Sequence, residues 1–179
     1  MYDDSDMKIV GAASDTEEIS EAEAASRLLR QEQENGNLDR ARTLGRLLAQ
    51  TLGQGERPLT EDNRAVTVQR WLLMMFAVEV ELEKRLPTQL TAQTAENEFF
   101  DTLREHVEAV YEELQNNGSL SFYYLCLQDA DKAEQKIGET FASLCGHAGE
   151  ADFAAAGTQL YRSCILQIAA LTAVQGFVS

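Results

Sequence analysis

The sequence has few of the residues that cross-link or interrupt a fold. It contains two prolines and three cysteines in 179 residues, and no two cysteines form a CxxC pair. Three cysteines without such a pair are typical of reduced thiols, and they argue against both a disulfide-stapled scaffold and a zinc ribbon. No stretch alternates apolar and polar residues as a strand would, so an all-β fold is excluded as well.

Positive charge is also scarce. Lys and Arg together number 15 against 30 Asp and Glu, which gives a formal net charge of −15. A surface this acidic repels phosphates, so we expect no nucleic acid as a partner. Long apolar runs are missing too, because Gln167, Thr172 and Gln175 interrupt the stretch 164–178. That stretch predicts a buried helix, and we expect no membrane association.

The first residues lack the features of a signal peptide. Residues 1–6 are acidic where a signal peptide is basic, and no apolar segment follows them. The hydrophobic fraction of 44% and the charged fraction of 25% are ordinary for a globular protein. We therefore expect a soluble cytoplasmic protein, of bacterial type.

Helical periodicity extends over almost the whole chain. It predicts a flexible acidic tail over 1–13, followed by a single all-α domain over 14–179. We expect a bundle built from antiparallel hairpins, with a linker at 53–58 and a short aromatic segment at 120–127 that is either a helical turn or extended. About six main helices are predicted, the third and sixth of them central, at 14–34, 38–52, 60–86, 96–115, 129–145 and 150–176.

Two acidic residues interrupt the apolar face of the third predicted helix. On a helical wheel, Glu79 and Glu83 fall one turn apart inside the apolar arc, whereas Glu81 falls outside it. A carboxylate on such a face needs an arginine, a metal ion, water or a ligand beside it. Gln167 of the last helix also lies on an apolar face and needs a partner. Glu79, Glu83 and Gln167 are therefore our candidate ligand or metal pocket.

The same pair of glutamates has an interpretation without a ligand. Glu83 lies near the end of its helix and can reach water. Glu79 can pair with one of three arginines, Arg46, Arg104 or Arg162. If neither a cation nor a metal is present, the proximity of two carboxylates raises one pKa and suits acid–base chemistry.

A stripe of acidic residues follows the fourth predicted helix. Phe99 and Leu103 lie on nearly the opposite side, so the stripe is expected to face water. It is also a possible interaction face for a basic partner. The five carboxylates of this acidic stripe fall within an arc of about 80°: Glu98, Asp101, Glu105, Glu108 and Glu112.

No other group of residues indicates a reaction. Cys145 and His147 are close in sequence, but the cysteines have apolar neighbours and are expected to be buried and unreactive. A di-iron bundle requires a glutamate three residues before each histidine, and leucine stands there before both His106 and His147. The catalytic residues, the cofactor and any metal therefore stay unknown.

The sequence favours a protein-interaction or scaffold module that binds a protein partner or itself. This hypothesis follows from the acidic faces and the missing catalytic motifs. One alternative is a metal-dependent or small-molecule-binding enzyme with its site at Glu79 and Glu83. Another is an acidic mimic of nucleic acid that inhibits a basic protein.

Overall fold

The chain is all-α, as the sequence predicts. The computed structural model describes residues 12–54, 60 and 63–178, so most of the expected tail and residues 55–58 of the expected linker lie outside the described residues. A short 3-10 turn occupies Ala130–Lys132. The described part contains eight α-helices: α1 (Ala12–Glu34), α2 (Asn37–Gly53), α3 (Arg64–Arg85), α4 (Gln89–His106), α5 (Glu108–Gln115), α6 (Leu120–Cys126), α7 (Ala133–Leu144) and α8 (Ala151–Gln175).

The contacts divide the chain into two compact units, Met1–Gly36 and Asn37–Ser179. In the first unit the described structure is the single helix α1, most of whose described side chains are exposed. Gly36 follows it with a φ of 71°, a left-handed conformation that commonly ends a helix. The second unit contains the remaining helices and the hydrophobic core.

The helix α3 is the centre of the second unit. It contacts α4, α5, α6, α7 and α8. Every side chain from Trp71 to Val78 is buried, and Phe76 stacks on both Tyr123 and Tyr161. Neighbouring helices therefore surround the middle of α3, and side chains on every side of it are buried.

Two close helix pairs depend on glycine. A Cβ on Gly45 of α2 would collide with the Ala95 carbonyl oxygen of α4. On Gly138 of α7 it would collide with the Ala154 carbonyl oxygen of α8, and on Gly157 of α8 it would meet the Phe141 ring of α7. The small residues 154–157 therefore lie at a close crossing of α7 and α8.

The predicted helix over 96–115 is in fact two helices. The first, α4, already begins at Gln89, because Thr88 and Thr91 form a reciprocal capping box. The chain then departs from helical geometry at Val107, with a φ of −125° and a ψ of 34°, before α5 begins. The aromatic segment left open by the sequence is helical and forms α6.

The two ends of the second unit are joined by one side chain. Asn37 is fully buried at the start of α2. Its Nδ2 donates to the Val178 carbonyl oxygen at 2.7 Å, and the Val178 amide donates to its Oδ1 at 3.0 Å. The Asn37 amide therefore forms hydrogen bonds with both backbone groups of Val178, in the segment that follows α8.

The expectation that the last apolar stretch is buried is wrong for half of its surface. Along α8 only four residues are buried, namely Gly157, Tyr161, Cys164 and Ile168. The neighbours α2, α3 and α7 lie along that side, and the opposite side is exposed. Among the described residues, no helix combines the length and apolarity needed to cross a membrane.

Candidate functional site

Glu79 lies beside α4 and α6, half-buried on α3. The hydroxyl of Tyr124 on α6 interacts with its carboxylate strongly enough to raise the pKa of Tyr124. Phe76, one turn earlier on α3, meets the Tyr124 ring edge-on with the ring centroids 5.1 Å apart. Glu96 of α4 interacts electrostatically with both Glu79 and Glu83. These three glutamates and Tyr124 are called the carboxylate cluster below.

Two members of the carboxylate cluster, Glu96 and Tyr124, have raised pKa values. Burial raises the pKa of Glu96 above its ordinary 4.5, and the negative charges of Glu79 and Glu83 raise it further. Burial and the Glu79 carboxylate raise the pKa of Tyr124. A carboxyl group with a raised pKa beside a tyrosine hydroxyl is an arrangement that acid–base chemistry can use.

Two of the three predicted pocket residues, Glu79 and Glu83, belong to this cluster. Glu83 is exposed, and Gln167 lies half-buried on α8, whereas the partners of Glu79 in the described part of the chain come from α4 and α6. Two of the three arginines considered for Glu79 pair elsewhere. Arg46 bonds to Glu98 at 2.8 Å, and Arg162 bonds to Glu134 at 2.6 Å.

The buried carboxylate of α3 is Glu81. It is only 4% exposed, and it pairs with Lys84 at 3.1 Å and with Arg85 at 2.7 Å, one turn along the same helix. The wheel places Glu81 outside the apolar arc, but α3 is enclosed on that side as well. The two basic neighbours compensate the burial of its charge.

Within the described ranges, no three His, Cys, Asp or Glu side chains are arranged to hold a metal ion. Glu79, Glu83 and Glu96 are therefore near one another without converging on one point. A metal centre normally presents several oxygen ligands at about 2.0–2.6 Å from the ion. Among the described residues, the carboxylate cluster does not form such an arrangement.

Glu96 and Tyr124 are the members of the cluster that the sequence analysis missed. The signal for Glu96 was present, because it precedes Phe99 and Leu103 by three and seven residues and so lies on the apolar stripe of α4. No comparable spacing identifies Tyr124. Of the two adjacent tyrosines, Tyr123 is the one that is fully buried.

The cysteines and histidines do not form a nucleophilic site. All three cysteines lie in the described part, are buried and form no disulfide, as the sequence predicts. Burial raises the pKa of Cys145 to about 11, although Arg70 opposes the shift. The His147 ring stacks on Phe153 with the ring centroids 3.6 Å apart. A thiol that is protonated at neutral pH is a poor nucleophile.

The acidic stripe is mostly solvated. Asp101, Glu105, Glu108 and Glu112 are exposed, and Glu98 is half-buried against Arg46 of α2. The break at Val107 divides the stripe between α4 and α5. The four exposed carboxylates are therefore accessible to a partner.

A second surface, the α8 face, follows the exposed side of the last helix. Leu166 is 71% exposed and Val174 is 81% exposed, far more than the core leucines. Charge is absent from this half of the helix, because residues 163–179 contain no Asp, Glu, Lys or Arg. The face spans about 100° of the helix and consists of five exposed residues: Ser163, Leu166, Ala170, Ala173 and Val174.

A third apolar surface lies on α6. Phe122 and Leu125 are both more than half exposed, and they border a groove of about 380 Å³ between α6 and α7. Lys136 and Glu139 line the other side of this groove. The α6 surface is therefore mixed in character, whereas the α8 face carries no charge.

No protein-family model, no curated protein and no solved structure matches this chain. A function therefore has to be argued from the carboxylate cluster and the exposed surfaces themselves.

Proposed function

We propose that this protein is a cytoplasmic helical interaction module that binds another protein through the α8 face. The observation that carries the proposal is the exposure of Leu166 and Val174 within a stretch of 17 residues that has no charge, at positions 163–179. Scattered exposed apolar residues are normal on a protein, but a continuous apolar helix face marks an interaction surface.

The energy available from covering the α8 face is substantial. Burying one fully exposed Leu or Val side chain contributes about 1.5–3 kcal/mol, so Leu166 and Val174 together contribute about 3–6 kcal/mol. Part of that gain offsets the loss of translational and rotational freedom on association. Because no charged side chain has to leave water, no desolvation penalty of that kind opposes binding.

The test is photo-crosslinking in the cells that naturally produce the protein. A photoreactive benzoylphenylalanine replaces Leu166 in one variant and Val174 in another. We expect discrete crosslinked products from both positions, because both side chains lie inside the proposed contact. Adding Ala170→Glu to either variant should remove the products, since it introduces a charge at the centre of the face.

Two control positions decide the specificity of that experiment. Ala155 lies on the exposed side of α8 but outside the uncharged half, and Glu105 lies in the acidic stripe. Neither should yield the products obtained at Leu166. The same products from all four positions, or none from Leu166 and Val174, would overturn the proposal.

The carboxylate cluster supports a second candidate function, a small-molecule site that uses acid–base chemistry. The observation in its favour is the interaction of Tyr124 with Glu79 beside a carboxyl group, Glu96, whose pKa is raised. A ligand that binds only the folded state raises the melting temperature. A panel of nucleotides and divalent cations should then produce a shift that Glu79→Gln removes, and a flat panel would reject this candidate.

A further inference from the structure

Resting on the proposed interaction function, we propose that the partner of the α8 face is a second copy of this chain. The two copies of α8 pack antiparallel about a two-fold axis that passes through Ala170. This is the isologous arrangement, in which the same surface of both copies forms the contact.

The pattern of the face is symmetric about Ala170. Leu166 lies four residues before it and Val174 four residues after it, and both are exposed on the same side of α8. In an antiparallel pair, Leu166 of one copy therefore lies opposite Val174 of the other, and Ala170 lies opposite itself. A small residue at the axis with a large residue on either side gives a complementary fit between identical surfaces.

Small side chains let the two helices approach closely. Residues 163, 166, 170 and 173 follow one another at spacings of three, four and three, the repeat that keeps one seam facing a partner helix. Three of these four side chains are small, and Val174 lies four residues after Ala170. Helices pack at interaxial distances of about 8–10 Å, depending on the side chains at the contact. Alanine at the central position favours the shorter distance and brings Leu166 and Val174 of opposite copies into contact.

The distribution of charge favours a second copy over an unrelated partner. Two copies with a formal net charge of −15 each repel one another unless they meet where charge is absent. A two-fold axis also places every charge near it close to an identical charge. The half of α8 around Ala170 has none, whereas the other half carries Asp152 and Arg162. A basic partner would instead be attracted to the acidic surfaces.

The size of the contact sets the concentration at which it should form. The uncharged part of α8, residues 163–175, is about 20 Å long at 1.5 Å per residue. One helix face of this length falls in the class of small interfaces, below about 1,200 Å² in total. We therefore expect a reversible dimer that is populated at micromolar concentrations and above, and association has to be measured over a wide concentration range.

The first test introduces one thiol at the axis. The native cysteines are buried, so Ala170→Cys adds an exposed thiol that an identical thiol of the second copy can reach. With oxidised glutathione as the oxidant, we expect this variant to form a disulfide-linked dimer on a non-reducing gel. Ala155→Cys is the matched control on the same side of α8. It should stay monomeric, because in the antiparallel arrangement the thiols at position 155 of the two copies are far apart.

The second test introduces opposite charges at the two facing positions and measures association of the full chain by sedimentation equilibrium. Leu166→Lys and Val174→Glu should each shift the protein to monomer at concentrations where the wild type dimerises. An equimolar mixture of the two variants should recover dimer, because Lys at 166 of one chain then faces Glu at 174 of the other. A mixture of Leu166→Lys with Leu166→Glu is the control, and it should stay monomeric since these two positions do not face each other.

The outcomes separate this inference from the proposed function. If the wild type is monomeric at every concentration and Ala170→Cys forms no disulfide dimer, a second copy is not the partner. Crosslinks from Leu166 to proteins of other masses would in that case leave the interaction function standing. Equal disulfide formation by Ala155→Cys, or recovery of dimer in the control mixture, would overturn the antiparallel arrangement.

Discussion

The amide of Asn37 shows how one residue can fix the ends of a helical bundle. Its side chain is fully buried and bonds to both backbone groups of Val178, so its removal deletes two hydrogen bonds between the start and the end of this unit. We expect Asn37→Ala to lower the free energy of unfolding by about 1–3 kcal/mol. Urea denaturation followed by circular dichroism measures this loss.

A matched control for Asn37 is Asn116. Its side chain also donates to a backbone carbonyl, that of Glu112 at 2.9 Å, but it is exposed. Asn116→Ala should therefore change the free energy of unfolding by less than about 0.5 kcal/mol. Equal losses in the two variants would contradict the role assigned to Asn37.

The raised pKa of Glu96 predicts a pH dependence with a definite sign. Above the ordinary pKa of 4.5 the unfolded chain releases the Glu96 proton, whereas the folded protein retains it until its higher pKa is reached. The folded state binds more protons in that interval, so this group lowers stability as the pH rises through it. Glu96→Gln has no proton to release, and its stability relative to the wild type should increase with pH across the interval.

Melting temperatures over a pH series measure the effect of Glu96→Gln. Glu105→Gln, which removes an exposed carboxylate of the same helix, is the control, and it should give a curve nearly parallel to that of the wild type. A Glu96→Gln curve that is also parallel to the wild type would contradict the assignment of the raised pKa to Glu96.

A helical wheel predicts which side of one helix is apolar, but it contains no information about the neighbouring helices. The wheel of the third helix identified Glu79 as a carboxylate on an apolar side, and the structure brings Tyr124 to it. It could not show that α3 is enclosed all round, which buries Glu81 instead of Glu83. The pairing partners of a side chain depend on neighbouring helices, and one helix pattern does not specify them.

At the scale of helices, the glycines at close crossings make a sharp prediction. We expect Gly45→Ala and Gly138→Ala each to destabilise the protein by about 1–3 kcal/mol, because the added methyl group overlaps a backbone carbonyl oxygen of the facing helix. This loss exceeds the gain of about 1 kcal/mol in helix propensity. Thermal unfolding of both variants measures the net effect.

Gly118 provides the control for the two crossing glycines. No atom lies within 4 Å of a Cβ built on it, and its φ is not in the left-handed region. Gly118→Ala should therefore leave the melting temperature unchanged or raise it slightly. A similar loss at Gly118 and Gly45 would contradict the assignment of the Gly45 effect to helix packing, because the restriction of the unfolded chain by Gly→Ala alone raises stability.

Two leucines test whether the α8 face is exposed in solution. Leu72 is fully buried in α3, and Leu166 is 71% exposed on α8. We expect Leu72→Ala to cost about 2–5 kcal/mol and Leu166→Ala to cost less than about 0.5 kcal/mol when the chain is dilute enough to be monomeric. A large loss in dilute Leu166→Ala would show that this side of α8 is covered within one chain.

The helices were predicted to different extents, for identifiable reasons. The spacing of Leu38, Leu44 and Leu48 predicted α2 almost residue by residue, and all three are buried. The start of α4 was missed because Thr91 completes the capping box where a glutamate is more usual. The break at Val107 was missed because neither proline nor glycine marks it. The apolar run of α8 was correctly predicted as a helix, but apolarity alone did not reveal which side is covered.

At the scale of the whole molecule, the net charge decides how association should respond to salt. Copies that carry −15 each repel at long range, and added salt screens this repulsion. Contact through the uncharged α8 face should therefore strengthen as salt is added. Binding of a basic protein to the acidic stripe would weaken under the same conditions, because its attraction is itself electrostatic.

Sedimentation velocity of the full chain at about 0.1 M and about 1 M salt tests most directly whether the molecule associates through the α8 face. The wild type should sediment as a concentration-dependent mixture of monomer and dimer, with more dimer at high salt. Val174→Glu should remain monomeric under both conditions with an unchanged melting temperature. A wild type that stays monomeric at high salt, or a dimer that Val174→Glu leaves intact, would contradict association through this face.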